Sequence, residues 1–326
     1  MGGSVKSSLR ARHPWPAFLI RRLGRFVVSL AVVVTASFAM VHALPGDPVR
    51  GALGLMAPPE TIAATRERLG LNDPLWRQYL DYLWNLLHLD LGTSLDTQTP
   101  VREKMAQLVP ATLQLGLTAF VVCLAVAIPV GLLLGIATRD GRGRGLHFGF
   151  GGVTGLALSV PDYLVSVGLV FVFAVSLNAL PVAGLSGPAS FVLPVTALVV
   201  GPAAYLARIV RAETQRVLGE DYIRAARAKR LPARLIYLRH ALPNTLTPTL
   251  TVSGMILASM VAGTVLVENV FAWPGVGAEL VHSVLAKDYP VVQAVALFFG
   301  AGILLINLAV DIAIAVIDPR STIKES

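Results

Sequence analysis

Two carboxylates, Asp162 and Asp311, stand inside long apolar runs of this chain. A carboxylate in hydrocarbon is costly unless it is paired or faces water, so each handles charge along a path or forms half of a structural ion pair. Asp162 follows Pro161 at an expected helix break, and with Ser259 and Asn307 it makes up the expected translocation path. Asp311, near the end of the last apolar run, is expected to pair with a base on the cytoplasmic side. His42 and His282 are isolated, and two histidines without a carboxylate or thiolate at ligand spacing make a poor metal site. Cys123 is the sole cysteine, which excludes an intrachain disulfide and a cysteine-based cluster. There is no H-E-x-x-H, no G-x-S-x-G and no G-x-x-x-x-G-K-[ST]. The chain is therefore expected to be no enzyme, and any ATP it depends on must be bound by another chain.

Positioning those residues is the task of a membrane bundle. Of 326 residues, 55% are hydrophobic and 14% charged, against about 25% charged in an average soluble domain. Several apolar runs reach about 20 residues, the length that crosses the hydrocarbon core as a helix. Six spans are expected, near Phe26–Leu44, Ala111–Ala137, Phe148–Leu177, Ser190–Val210, Thr245–Val267 and Val291–Val316. The fold class is thus all-α integral membrane. The net charge of +8 sits in blocks beside apolar runs, which reads as membrane orientation rather than nucleic-acid binding. Putting both termini in the cytoplasm places 20 of the 27 Lys and Arg residues inside, and six of the other seven fall in one long loop. The resulting division is a cytoplasmic segment 1–25, a first span 26–44, a periplasmic helical loop 45–110, a five-span core 111–316 and a tail 317–326.

Within loop 45–110, Pro59 to Leu69 reads as a helix stopped by Gly70, and Asp73-Pro74 opens a second helix. There Trp76, Tyr79, Leu80, Leu83, Leu86 and Leu87 recur at helical spacing while Arg77, Asp81 and Asn85 face away. Such a stripe belongs on the membrane surface or on the protein's own outer face. Inside the spans, Gly131 with Gly135 and Gly151 with Gly155 place small residues four apart, which suits close helix packing in lipid. Pro129, Pro161, Pro194, Pro202 and Pro248 interrupt spans, as in a bundle that moves around a path.

The segment 211–244, between the fourth and fifth spans, is the most charged stretch. Acids at Glu220 and Asp221 open a short helix whose later part carries Arg224, Arg227, Lys229 and Arg230, as the helix dipole favours. Pro232 ends it, and a second short helix runs from about Ala233 until Pro243. This element either docks a soluble partner or lies on anionic headgroups.

The run from Glu220 to Leu231, followed by Arg239-His240-Ala241-Leu242-Pro243-Asn244, resembles the cytoplasmic coupling loop of ATP-binding-cassette (ABC) importer permeases. The family pattern has an acid before two alanines and a glycine four positions after the second; here Arg224 and Arg230 take those two places. Arg230 then requires either ordinary backbone geometry or strain where glycine would turn freely. The phrases Leu44-Pro45-Gly46-Asp47-Pro48, Asp90-Leu91-Gly92-Thr93-Ser94, Glu268 through Gly277, Asp288-Tyr289-Pro290 and Asp318-Pro319-Arg320 are similar to the peptide and nickel permease family in the same order. The resemblance implies a type I ABC importer permease fold in a bacterial inner membrane. It also implies a second homologous permease, two ATPase subunits holding ATP and Mg2+, and an external substrate-binding protein, this chain needing no cofactor of its own. By that resemblance the ATPase-coupling residues are Glu220, Asp221, Tyr222, Ile223, Ala225, Ala226, Lys229, Arg230 and Leu231. The cargo classes that the resemblance implies are di- and oligopeptides, glutathione, and nickel or nickel-type metallophore complexes; loop phrases at Leu87–Asp90, Leu180–Pro188 and Phe271–Pro274 look slightly closer to nickel members. An ion-coupled secondary transporter is the alternative, for which an internal repeat of spans would be expected.

Overall fold

The computed structural model describes residues 14–43, 49, 58–68, 70–139 and 143–317. The phrases at 44–48 and 318–320, the segment 1–13 and the tail beyond 317 lie outside the described residues. Regular structure among the described residues is helical, extended pairing being limited to an isolated bridge between Thr93 and Pro100. The helices are α1 (Pro14–Ala43), α2 (Pro59–Arg68), α3 (Leu75–Leu87), α4 (Val101–Ala137), α5 (Arg144–Ser159), α6 (Asp162–Leu169), α7 (Val192–Leu218), α8 (Asp221–Ala228), α9 (Ala233–Leu235), α10 (Leu242–Val270), α11 (Val276–Ala286) and α12 (Tyr289–Ile317). Five helical stretches are long and apolar enough to cross a membrane, and the bent pair α5–α6, counted as one span, makes six.

Span boundaries drawn from charge and proline came out too short. The first apolar window starts at Phe18, not Phe26, and α1 carries Arg21, Arg22 and Arg25 within it. Arginine is a good helix former, and Arg22 Nη1 meets Asp311 Oδ2 at 2.6 Å, the ion pair expected for that carboxylate. The second span starts at Val101, ten residues before Ala111, and runs through Pro110 and Pro129. Burial explains its reach: Val101 and Met105 pack with Val276, Val291, Ala294 and Val295, which holds the helix on past the missing N–H of Pro110.

The third span is not one rod. It breaks between Ser159 and Asp162 with a bend of 96°. Proline's ring drives the preceding residue out of the helical region, and Val160 accordingly has φ −93° and ψ 119°.

The core lies between α4, α7 and α10, built on Leu115, Ala119, Cys123, Ala127, Leu198, Leu206, Val210, Ile256 and Met260. Gly131 and Gly135 set the α4–α7 distance as expected. A Cβ on Gly131 would lie 2.5 Å from Val210 Cβ, and one on Gly135 would lie 2.6 Å from Thr214 Cβ. Gly151 and Gly155 do not repeat the trick; an added Cβ there meets nothing among the described residues within 4 Å. Gly131→Leu is therefore expected to force α4 off α7 and lower the melting temperature of the solubilised chain sharply, with Gly151→Leu leaving it within error.

The chain crosses back and forth so that the bundle has a near end, holding Arg22, Ala137 and Leu218, and a far end, holding Ala43, Val101 and Tyr289. At the far end Asp288 accepts hydrogen bonds from Ser94 Oγ and from Leu95 N (3.0 Å), and Lys104 Nζ pairs with Glu279 at 2.6 Å.

Candidate functional site

The near-end loop is built from the end of α7, α8 and the start of the next long helix. α7 continues to Leu218, eight residues past the expected end of its span. Gly219 and Glu220 then turn the chain, with Gly219 N donating to Arg216 O (3.0 Å) and Glu220 N to Val217 O (3.1 Å). α8 follows, its acid in the first turn and Arg227 in the last, the polarity that the helix dipole favours.

α8 has two faces. Ile223 (0% exposed) and Ala226 (7%) face inward and pack with Val217, Leu218, Ile236 and Ala241, against Ile136 of α4. Asp221, Tyr222, Arg224, Ala225 and Lys229 are exposed. The nine residues named from sequence thus divide: Ile223, Ala226 and half-buried Leu231 hold the loop to the bundle, and Glu220, Asp221, Tyr222, Ala225, Lys229 and Arg230 face outward. Ion pairs Arg216–Glu220 (3.5 Å) and Arg224–Asp221 (3.1 Å) join exposed groups, so they add little to stability. Partial burial, with the Glu220 carboxylate adding to it, pushes the Tyr222 phenol up.

The turn at Arg230 is strained rather than ordinary. Arg230 has φ 54°, in the left-handed region. Its N–H donates to Arg227 O (2.8 Å) and the Leu231 N–H to Ala226 O (3.3 Å), the paired bonds of a Schellman helix end. Gly70 (φ +64°) closes α2 in the same way, through Gly70 N to Glu67 O and Leu71 N to Arg66 O, both 3.0 Å. A non-glycine residue in this region costs about 1–2 kcal/mol, and glycine returns about 0.5–1 kcal/mol of that through unfolded-chain entropy. Arg230→Gly is expected to stabilise the turn by about 0.5–1 kcal/mol, read as roughly two- to fivefold more protection of the Leu231 amide in hydrogen exchange.

Pro243 does not end the second element. Residues 233–270 form one helix of 38 residues, with a π-helical turn over Ile236–Ala241 just before Pro243. The widened turn accommodates the proline ring and its missing donor. Beside α8, Pro232, Leu235, Leu238 and Pro243 line a shallow depression rimmed by Arg234 and Arg239, which the sequence reading had not singled out. Two prolines bracketing a Leu/Arg run were its signal.

The path residues are brought together only in part. Asp162 opens α6 at the bend, and its carboxylate oxygens lie 3.6 Å and 3.8 Å from where side chains would begin on Gly201 of α7 and Gly263 of α10. Ser259 is exposed one turn from Gly263 on α10, whereas Asn307 is exposed on α12, which packs on α1 and α10. His42 is not free for a ligand: its ring nitrogens meet Phe38 O (2.9 Å) and Gln78 Oε1 (3.1 Å). Phe271 and Trp273, part of the phrases that leaned towards nickel, are 2% and 1% exposed; Trp273 Nε1 donates to Ala111 O and the ring stands edge-on to Phe191. Core residues of this kind speak of packing, not cargo.

Glu268, quoted earlier only as part of a phrase, has a definite role in the structure. It is 0% exposed, and its Oε2 accepts from Gly277 N (2.7 Å) and Ala278 N (3.2 Å) at the start of α11. Val276 N donates to Thr112 Oγ1 (2.8 Å), so α4, α10 and α11 are clasped together at the far end. A side chain on Gly275 would collide with the carboxylate.

The model of the binding-protein-dependent transport system inner membrane component matches residues 105–323, and that of the N-terminal part of such components matches residues 16–116. The chain belongs to this family. It is a multi-pass protein of a bacterial inner membrane and the permease subunit of an ABC importer, with ATP hydrolysed by partner subunits. Among family members, it is similar to the dipeptide transport system permease protein DppB of Escherichia coli K12, with 36% identity over 93% of this chain and 98% of the relative. It is 36% identical to the glutathione transport system permease protein GsiC of Salmonella choleraesuis over 94% and 99%, and 37% identical to a Brucella suis protein named as a peptide transport system permease over 93% and 98%. The fold is like that of a chain of the inward-facing MetNI methionine ABC transporter, with TM-score 0.57 at 21% identity over 66% of this chain and 96% of that one.

Proposed function

We propose that this permease passes di- or oligopeptides, that α8 is its coupling helix, and that the near end, with both termini, faces the cytoplasm. The observation that carries the coupling role is the division of α8 into an anchored face at Ile223 and Ala226 and an exposed face at Tyr222 and Ala225. A helix fixed to α4, α7 and the base of the 233–270 helix moves with them when something grips its free side. The peptide reading is supported by the peptides named for the relatives, and the loop phrases that suggested nickel are partly core. Two ATPases holding ATP and Mg2+ would seat on the α8 face and the Arg234–Arg239 depression. A second permease would cover the open glycine face of α5, and an external binding protein would deliver cargo at the far end.

Nucleotide drives alternation between inward and outward states only through its better fit to one of them. In this reading ATP binding closes the ATPases, α8 follows, and the spans rock around Asp162 and Ser259. The test is uptake in a strain lacking this chain, with the gene restored and labelled dipeptide compared with labelled nickel. Dipeptide uptake that needs the chain supports the proposal, and restored nickel uptake without dipeptide uptake overturns the cargo. Failure of the solubilised chain to carry ATPase subunits with it through purification overturns the coupling role.

A further inference from the structure

The far-end helix α3 has three faces, and the described residues cover only one. Gln78, Tyr79, Tyr82, Leu83 and Leu86 are half-buried. The Tyr79 and Tyr82 hydroxyls share hydrogen bonds of 2.8 Å with Thr35 Oγ1 and Ser37 Oγ of α1. At about 100° per residue, the next arc carries Arg77, Asp81 and Asn85. Asp81 and Asn85 line a cleft of about 270 Å³ whose other walls include His42, Tyr289 and Gln293. The third arc, turned away from both, is Trp76, Leu80, Trp84 and Leu87, which are 66%, 54%, 65% and 79% exposed.

We propose that this third arc is seated in the bilayer, at the boundary between headgroups and acyl chains of the leaflet on the Ala43 side. Depth is the first argument. Thr35 and Ser37 lie inside the apolar window Phe18–Met40 of α1, about 5–8 Å along the helix from its end. Val27, Val28, Val32 and Met40 are exposed along the same window of α1, so in this proposal the lipid against them also reaches the outside of α3. Chemistry is the second argument. The arc holds two tryptophans and two leucines and no charge, and tryptophan concentrates where one end of a side chain is apolar and the other wet. Its polar neighbour lines the cleft through Asp81 and Asn85, so the helix offers a polar side, an apolar side and a third side packed on α1. This is the arrangement of an interfacial helix sunk about 5–10 Å into the boundary. α3 is thus a float that sets the height of α1 in the membrane, and the inference stands apart from the cargo and coupling readings above.

The test uses the assembled transporter in nanodiscs of dibrominated phosphatidylcholine. Comparison with the Trp76→Phe/Trp84→Phe variant isolates the emission of those two rings. Brominated lipid is expected to remove half or more of it, with aqueous iodide removing little. Quenching by iodide but not by bromolipid overturns the proposal. So does insensitivity to both, the result for an arc covered by the second permease or the binding protein. A nitroxide on Leu80→Cys gives an independent reading, since the native Cys123 is buried. Its accessibility to oxygen is expected to exceed that to a water-soluble nickel chelate severalfold, and the reverse order overturns the assignment.

Discussion

Ala225→Glu is expected to abolish most uptake in a chain that still folds and inserts, whereas Ala226→Glu is expected to unmake the loop itself. The two alanines are neighbours in sequence and opposites in space. Ala225 is exposed on the free face of α8, and Ala226 is 7% exposed among Leu218, Ile223 and Ile236. A bulky carboxylate on the free face must be desolvated when the ATPase closes over it, a cost of about 2–5 kcal/mol and hence tenfold or more in productive coupling. The same group at Ala226 is an unpaired charge in an apolar cluster, costing about 3–5 kcal/mol. Uptake, ATPase turnover and hydrogen exchange over 219–241 separate the two. Ala225→Glu is expected to lower uptake with native exchange, and Ala226→Glu to raise exchange across the loop. Unchanged uptake in Ala225→Glu, with the chain present at its normal level, would end the coupling assignment.

The second large effect is expected at the far end. Glu268→Ala removes the acceptor of two buried backbone N–H groups, each costing about 1–3 kcal/mol when left without a partner. The two losses sum to about 2–6 kcal/mol before any cavity is counted, and the α10–α11 corner should open. Glu268→Gln keeps one carbonyl oxygen for the same two donors and is expected to lose about half as much. Melting of the solubilised chain is the readout, with limited proteolysis between Phe271 and Val276 reporting the corner. Equal stability of Glu268→Ala and the parent would show that water replaces the carboxylate there.

Much of this architecture was readable from hydropathy because lipid imposes one requirement on every span, an apolar run closed on its own hydrogen bonds. The bend at Pro161 and the glycine contacts at Gly131 and Gly135 follow from local rules of the same kind. The boundaries erred where tertiary partners reversed a local cost. Arg22 enters a span because Asp311 awaits it, and α4 passes Pro110 because Val101 and Met105 are packed. The charged loop around α8 was visible as a pattern of residue types, yet its pattern could not say that Ile223 and Ala226 look inward, since that depends on Ile136 and Ile236 arriving from other helices. Glu268 escaped assignment for the same reason. An acid near the end of an apolar helix reads as a surface group until α11 is seen to begin against it.

The helix over residues 233–270 starts beside α8 and finishes two residues after Glu268. At 1.5 Å per residue its 38 residues measure about 57 Å, so one helix has the α8 loop at its root and the clasp on α11 at its tip. A tilt of about 5° about the root sweeps the tip through about 5 Å by that geometry. A displacement at one end of the bundle can therefore reach the other along a single helix, without any relay of side chains between them.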